Sequence, residues 1–295
     1  MRRYARFLVS LVLLALVAVA IKPSEVVTIL GRLPLWSLLA ALVLSIPQVV
    51  LSALRWRYTA QRLCLPLGLG ESILAYYRAT LINQLMPGGV VGDVERAWRA
   101  RHPQARTSAA VHSVMIERLS GQIALLLTIA VLVILASPSA LQSALGGSWL
   151  WSAAALVLLL VAVLRLPKMR TYSALFRADA RTALLQWPAP LIQLGLSAAV
   201  VATYFATLAL LDSGIAGQPI TAERLALHAC LLLSMVLPVS VAGWGVREGV
   251  AGVLWPLAGF PASEGVALSV AYGVVILLAS LPGLIPGAGE RCQSL

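Results

Sequence analysis

Apolar residues run through this chain in long blocks broken by short polar islands, without the two-residue alternation of membrane strands. A hydrocarbon core of about 30 Å takes about 20 helical residues to cross. Six blocks are long enough to be read as full spans: Phe7–Ile21, Leu35–Leu54, Ser108–Ala136, Trp149–Leu166, Ala189–Leu211 and Glu264–Ile285. The second contains Pro47 and ends in Arg55-Trp56-Arg57-Tyr58, which reads as a cationic and aromatic anchor at the membrane interface. Two further blocks are too short or too broken to span. Ser72–Met86 stops at Pro87-Gly88-Gly89, and Leu225–Leu237 stops at Pro238, with a second short apolar run reaching Pro256. Both predict re-entrant helical hairpins, a backbone form tolerated at depth only inside protein or beside a wet cavity. The expected fold is an all-α integral membrane protein with about six transmembrane helices plus two re-entrant hairpins, in a single domain over 1–295.

Composition agrees with that class. Of 295 residues, 60% are hydrophobic and 11% charged, with a mean hydropathy of +0.91, whereas soluble domains carry about 25% charged residues. The net charge of +11 is first a matter of topology, because cytoplasmic loops collect Lys and Arg. With both termini cytoplasmic, sixteen basic residues fall inside and three (Lys22, Arg32 and Arg224) outside. That distribution removes the need for nucleic acid as a partner. Cys64, Cys230 and Cys292 are too scattered for a disulfide framework or a metal site, and the three His are equally isolated.

The polar islands repeat a pattern. Pro87-x4-Gly92-x3-Arg96 and Pro238-x4-Gly243-x3-Arg247 share one frame, 151 positions apart. The order span, span, hairpin, span also occurs twice, starting inside in residues 1–140 and outside in residues 149–290. The halves are expected to be inverted-topology repeats, which place a substrate site near the midplane between broken helices.

Within each island the glycine turn is expected to start the hairpin's second helix. Free N–H groups there and the helix dipole favour an anion. Arg96 and Arg247, about one turn in, could hold phosphate oxygens through paired hydrogen bonds. Asp93, Glu95 and Glu248 would balance them in the empty site. Asn83 and Gln84 precede the first proline, and Ser240 and Gly243 belong to the second turn. Glu117-Arg118 is a third acid–base pair, read either as part of the site or as an interfacial pair orienting its span. The plainer reading of Arg247-Glu248 is an ion pair locking the hairpin, that of Arg99 and Arg101 a solvated face, and Trp244 is expected to pack at its turn. No catalytic constellation, nucleotide motif, cofactor motif or metal motif is present in the sequence.

Asn83-x3-Pro87-x4-Gly92-Asp93-x2-Arg96, then Glu117-Arg118-Leu119, then Leu237-Pro238-x-Ser240-x2-Gly243-x-Gly245-x-Arg247-Glu248-Gly249 resemble the lysylphosphatidylglycerol synthase transmembrane region, also called the flippase-like domain family. The resemblance covers nearly the whole chain, with Gly92-Asp93 where many members carry Gly-Glu. It implies a lipid translocase of the bacterial inner membrane. The soluble aminoacyl-transferase domain of the synthases is not expected after Leu295. The cargo class implied is an anionic phospholipid, glycolipid, polyprenyl-phosphate or hopanoid-type lipid. Substrate-binding residues are expected at Asn83, Gly92, Asp93, Arg96, Glu117, Arg118, Ser240, Gly243, Arg247 and Glu248. A homo-oligomer or a synthase partner stays open. The alternatives are an integral membrane enzyme or accessory subunit of glycolipid or polyprenyl-phosphate-sugar synthesis, with Asp93 or Glu248 as base, and a scaffold for a synthase.

Overall fold

Every described element of the computed structural model is a helix. Residues 19, 21–86, 89–135, 167–235 and 243–285 are described. The expected spans Phe7–Ile21 and Trp149–Leu166 therefore lie almost wholly outside the described residues, as do the turn residues Pro87, Pro238 and Ser240. In chain order the helices are α1 (Pro23–Arg32), α2 (Leu35–Arg62), α3 (Leu69–Leu85), α4 (Val91–Arg99), α5 (Thr107–Leu135) and α6 (Pro167–Ala180). A π-helical turn, Arg181–Leu185, follows α6. Then come α7 (Ala189–Ala216), α8 (Ala222–Ser234), α9 (Val246–Leu257), α10 (Ala262–Ser280) and a 3-10 turn, Leu281–Leu284. Three stretches are long and apolar enough to cross a membrane: Leu35–Arg62, Ala189–Ala216 and Ala262–Leu284.

Local chemistry sets several of the boundaries. Glu71 reaches back to the Gly68 N–H at the start of α3 (3.4 Å), and Thr221 accepts from the Arg224 N–H at the start of α8 (3.4 Å). Both satisfy amides that a helix start leaves unpaired. At α9 the preceding residue, Gly245, has φ +88°, a conformation that any side chain would disfavour. Glu248 closes that turn, its Oε2 accepting the Gly245 N–H at 2.6 Å.

Two departures from the sequence reading matter for function. First, α2 runs through Pro47 and eight residues past Leu54. Arg55 and Trp56 are consequently buried inside the protein, not set at a membrane interface. The Trp56 indole N–H donates to Ser113 Oγ at 3.2 Å. Second, the basic stretch before Ala189 contains helix α6, and its Asp179 binds Arg106 Nη2 (2.6 Å) and His112 Nδ1 (2.6 Å).

The order long helix, two short arms, long helix occurs twice. The second series starts at Ala189, Ala222, Val246 and Ala262, where the first starts at Leu35, Leu69, Val91 and Thr107. One apolar core joins α2, α7, α8, α9 and α10 around Leu208, Leu231, Trp255 and Leu268. Another joins α2 to α5 around Trp56, Ala97, Ala110 and Ile116. Helices α2 and α7 pack along each other, cross-linked by Gln193 Nε2 donating to Thr59 Oγ1 (2.8 Å) and Arg55 Nη1 donating to Ser197 Oγ (3.3 Å).

The start of α8 is fastened by charge. Asp212 of α7 takes Arg224 Nη1 on one oxygen (2.6 Å) and His228 Nε2 on the other (2.9 Å). Arg224 Nη2 also donates to Glu264 of α10 (2.7 Å). Breaking a buried pair from one side strands the other charge. Asp212→Ala is therefore expected to destabilise the protein by about 3 kcal/mol, read as a lower unfolding midpoint in detergent.

Candidate functional site

Glu117, ten residues into α5, gathers three other helices onto one carboxylate. Its Oε1 accepts from Arg55 Nε of α2 (3.2 Å), from Arg55 Nη2, and from the Tyr76 hydroxyl of α3 (3.3 Å). Its Oε2 accepts from Arg96 Nη2 of α4 (2.9 Å). Glu117 is only 1% exposed, so this charge is stable only because both oxygens are engaged. The Arg96 guanidinium also lies between two rings, 4.7 Å from the Trp56 centroid and 4.6 Å from that of Tyr76. Cation–π attraction offsets part of its desolvation.

The chain of charges continues to Asp93. Arg96 Nη2 donates to Asp93 Oδ1 at 3.0 Å, and Oδ2 pairs with Arg118. Asn83 stitches the two hairpin arms together, donating from Nδ2 to Asp93 Oδ2 (3.4 Å) and accepting the Gly92 N–H (2.8 Å). Gly92 permits that approach. A Cβ there would stand 2.1 Å from the Ala79 carbonyl oxygen, a backbone atom that cannot swing aside. Gly92→Ala should force α3 and α4 apart and lower stability by about 2 kcal/mol or more, measured as loss of folded protein on heating.

A second network lies at the start of α9. Arg247 Nη2 donates to Glu248 Oε1 (3.1 Å) and its Nε to Ser269 Oγ of α10 (2.6 Å). Ser269 in turn donates to Glu248 Oε1 at 2.7 Å. The guanidinium is 0% exposed and sits 5.2 Å from the Trp244 ring and 5.6 Å from the Tyr272 ring. It presses on α10 at Gly273, where an added Cβ would meet Arg247 Nη2 at 2.5 Å.

Arg96 and Arg247 thus each lie beside an acid, a Trp and a Tyr, but the helices are not in the register of the sequence frame. Arg96 is the sixth residue of α4, and Arg247 the second of α9. The acids correspond instead, Asp93 and Glu248 each being third in its helix.

Between the helix pairs α3–α4 and α8–α9 lies a cavity of about 700 Å³. Arg55, Glu117 and Arg118 form the charged part of its wall, and apolar side chains including Val49, Leu119, Val200, Val201, Leu232 and Ile276 share the lining. Of the residues expected from sequence, Asn83, Glu117, Arg118 and Gly243 line this space. Gly92, Asp93, Arg96, Arg247 and Glu248 do not. They stand behind the wall, where their charges are already matched by carboxylate, guanidinium or ring. Arg96 and Arg247 are consequently placed as supports, not as groups presented to the cavity. Ser240 is outside the described residues. Arg118 is the accessible cation, its side chain 40% exposed.

Several lining residues escaped the sequence reading, Arg55 and Gln48 among them. Arg55 looked like an anchor because its partner, Glu117, is 62 residues away. Gln48 was not singled out; its place on the stripe Ser45, Gln48, Ser52, Arg55, at helical spacing, is the signal that could have found it. The first-hairpin cluster contains Arg55, Arg96 and Arg118 against Asp93 and Glu117, which leaves one positive charge uncompensated. Such a wall attracts an anion and disfavours a cation.

A family model described as the lysylphosphatidylglycerol synthase TM region matches residues 4–283. No curated protein and no solved structure gives a significant match.

Proposed function

The chain belongs to the lysylphosphatidylglycerol synthase transmembrane-region family, and from that premise we propose that it is a lipid flippase. It moves a lipid with an anionic polar headgroup between the leaflets of the bacterial inner membrane, with both termini cytoplasmic. The observation that carries this reading is the cavity between α3–α4 and α8–α9, whose lining combines charged side chains with an excess positive charge and extensive apolar surface. A headgroup occupies the charged side while its tail remains in contact with apolar surface.

In this reading α3–α4 and α8–α9 are re-entrant hairpins entering from opposite faces, and the full protein has about six spans. The recurrence of helix starts at a near-constant offset supports inverted repeats over 1–140 and 149–290. Alternating access follows from rocking one half against the other about the cavity. Arg118 is the headgroup ligand. In the empty site it is held by Asp93, and an incoming phosphate competes with that carboxylate for the same guanidinium. Arg96, Glu117 and Arg55 keep the wall in place while this exchange occurs.

The test is a leaflet-resolved assay with purified protein in liposomes containing a fluorescent anionic phospholipid. Translocation above that of protein-free vesicles is expected. Formation of a new lipid product without movement would replace the flippase with an enzyme of glycolipid synthesis, and neither result would leave a scaffold.

A further inference from the structure

The ionic cluster that fastens α8 lies outside the cavity lining and has a vacancy of its own. Side-chain exposure falls along it, from 22% at Glu264 through 7% at Arg224 to 1% at Asp212 and 0% at His228. It meets solvent at Glu264 and ends, fully buried, at His228. An ionised carboxylate only accepts, so His228 gives Asp212 the hydrogen on Nε2. Its Nδ1 is then a bare lone pair, buried and without a hydrogen-bond partner among the described residues.

Charge is unbalanced here too. With His228 neutral, Asp212 and Glu264 oppose Arg224 alone, which leaves one negative charge in excess. The neighbouring elements do not offset it among the described residues. Helix α8 itself adds Glu223, at its exposed start, and Cys230. Helix α9 brings Arg247 and Glu248, matched to each other, and α5 has no ionisable side chain beyond Arg118. Tyr204 of α7 and Tyr272 of α10 are neutral. Against α7 and α10, α1 sets Glu25, paired with Lys22, and the exposed Arg32; α2 has its ionisable residues from Arg55 onward, at its other end. An uncompensated buried charge is costly, and one proton removes it. The new N–H bond forms at Nδ1, while the Nε2 hydrogen stays on Asp212, and it breaks again when the proton leaves.

The cluster shares its helices with the cavity wall. Asp212 is two turns from Tyr204, Glu264 two turns from Tyr272 and His228 one turn from Leu232, all three being lining residues. Leu208 and Leu268, both fully buried, come between on α7 and α10. Proton and lipid therefore have separate sites on one set of helices.

We infer that Asp212 and His228 form a proton-binding site whose loading is linked to that of the anion site, so that proton and lipid cross together. This rests on the proposed transport of an anionic lipid and supplies its driving force. The first-half cluster is one positive charge in excess and this one is one negative, so an anion on the former and a proton on the latter neutralise both. A singly charged lipid moved with a proton carries no net charge, and a pH difference alone drives the pair.

Linkage is reciprocal, so proton uptake on lipid binding tests it without transport. In weakly buffered detergent with a pH-indicator dye, phosphatidylglycerol, a singly charged phosphodiester, is expected to draw up about one proton per lipid bound between about pH 5 and 8. His228→Gln keeps a donor for Asp212 and takes no proton; Glu264→Gln keeps an acceptor for Arg224 and removes the excess charge. Each should cut the uptake about fivefold or more with lipid still bound. His112→Gln is the control, because Asp179 is already matched by Arg106 there, and should behave as the native protein. In liposomes, a pH difference of about one unit should hold fluorescent phosphatidylglycerol at a leaflet ratio approaching about tenfold, the limit for one proton per lipid. A protonophore should collapse that ratio, and His228→Gln should move lipid only to equal leaflets. Absence of proton uptake by the native protein would overturn the inference, as would uptake unchanged in both variants. Lipid that equilibrates under the gradient would overturn the coupling and leave the flippase standing. Uptake dependent on His228 in protein that moves no lipid would instead reject the flippase and leave the linked proton site standing.

Discussion

Glu117→Gln is expected to be the most destabilising single substitution in the site, lowering stability by about 3–5 kcal/mol, as removal of one partner from a buried charge pair does. The amide keeps the shape of the side chain but not its charge. Arg55, 5% exposed in its side chain, loses its only anion among the described residues, and Arg96 retains only Asp93. Four helices meet at this carboxylate, so the loss is felt as unfolding and not as a local adjustment. The measurement is the unfolding midpoint in detergent. A second variant separates charge from shape: adding Arg55→Met should restore part of the lost stability, because the stranded cation is removed. A midpoint unchanged by Glu117→Gln would mean that the two guanidinium groups do not depend on this anion.

Arg118→Ala is expected to have the reverse profile, with the fold kept and transport lost. Its guanidinium is half-exposed and belongs to the rim of the network. Surface-facing pairs of this kind contribute about 0–1 kcal/mol to stability. Its loss from a bound phosphate should cost more, about 1.5–3 kcal/mol for a hydrogen bond to a charged group, equivalent to roughly ten- to hundredfold in binding. Translocation at low lipid concentration should fall by that factor with an unchanged unfolding midpoint. Arg118→Lys should recover part of it, because a point charge remains where the two-pronged donor is lost. Arg247→Ala provides the contrast. That side chain is fully buried against Glu248, Ser269 and Gly273, so its removal is expected to lower folded yield. Native transport by folded Arg118→Ala would exclude it as the headgroup ligand.

Much of this arrangement was legible beforehand. Helix breakers at Pro87 and Pro238 delimited α3 and α8, and the apolar runs placed α2, α5, α7 and α10 to within a few residues, α2 being extended by its basic end. Glu117-Arg118 stood out as an acid and a base deep in an apolar helix. What stayed hidden depended on distant partners. Local pattern cannot distinguish an arginine at a membrane interface from one buried against a carboxylate from another helix, and Arg55 was the first in sequence and the second in structure. The repeated frame had a related limit. It aligned Arg96 with Arg247, whereas helix register aligns Asp93 with Glu248, because the two hairpins begin their second helices at different distances from the glycine. Helix α6 was concealed by its basic composition, which reads equally well as a cytoplasmic loop.

The contacts between α2 and α7 have a consequence for motion. Gln193 to Thr59 joins two neutral groups and is worth about 1 kcal/mol, and Arg55 to Ser197 is a single charge-assisted bond of about 1.5–3 kcal/mol, while the ionic clamps fasten helices on one side of that seam or the other. A slip along the seam would therefore exchange two single bonds and leave the clamps shut. Were the two long helices to move, these two bonds would give way before the moorings on either side.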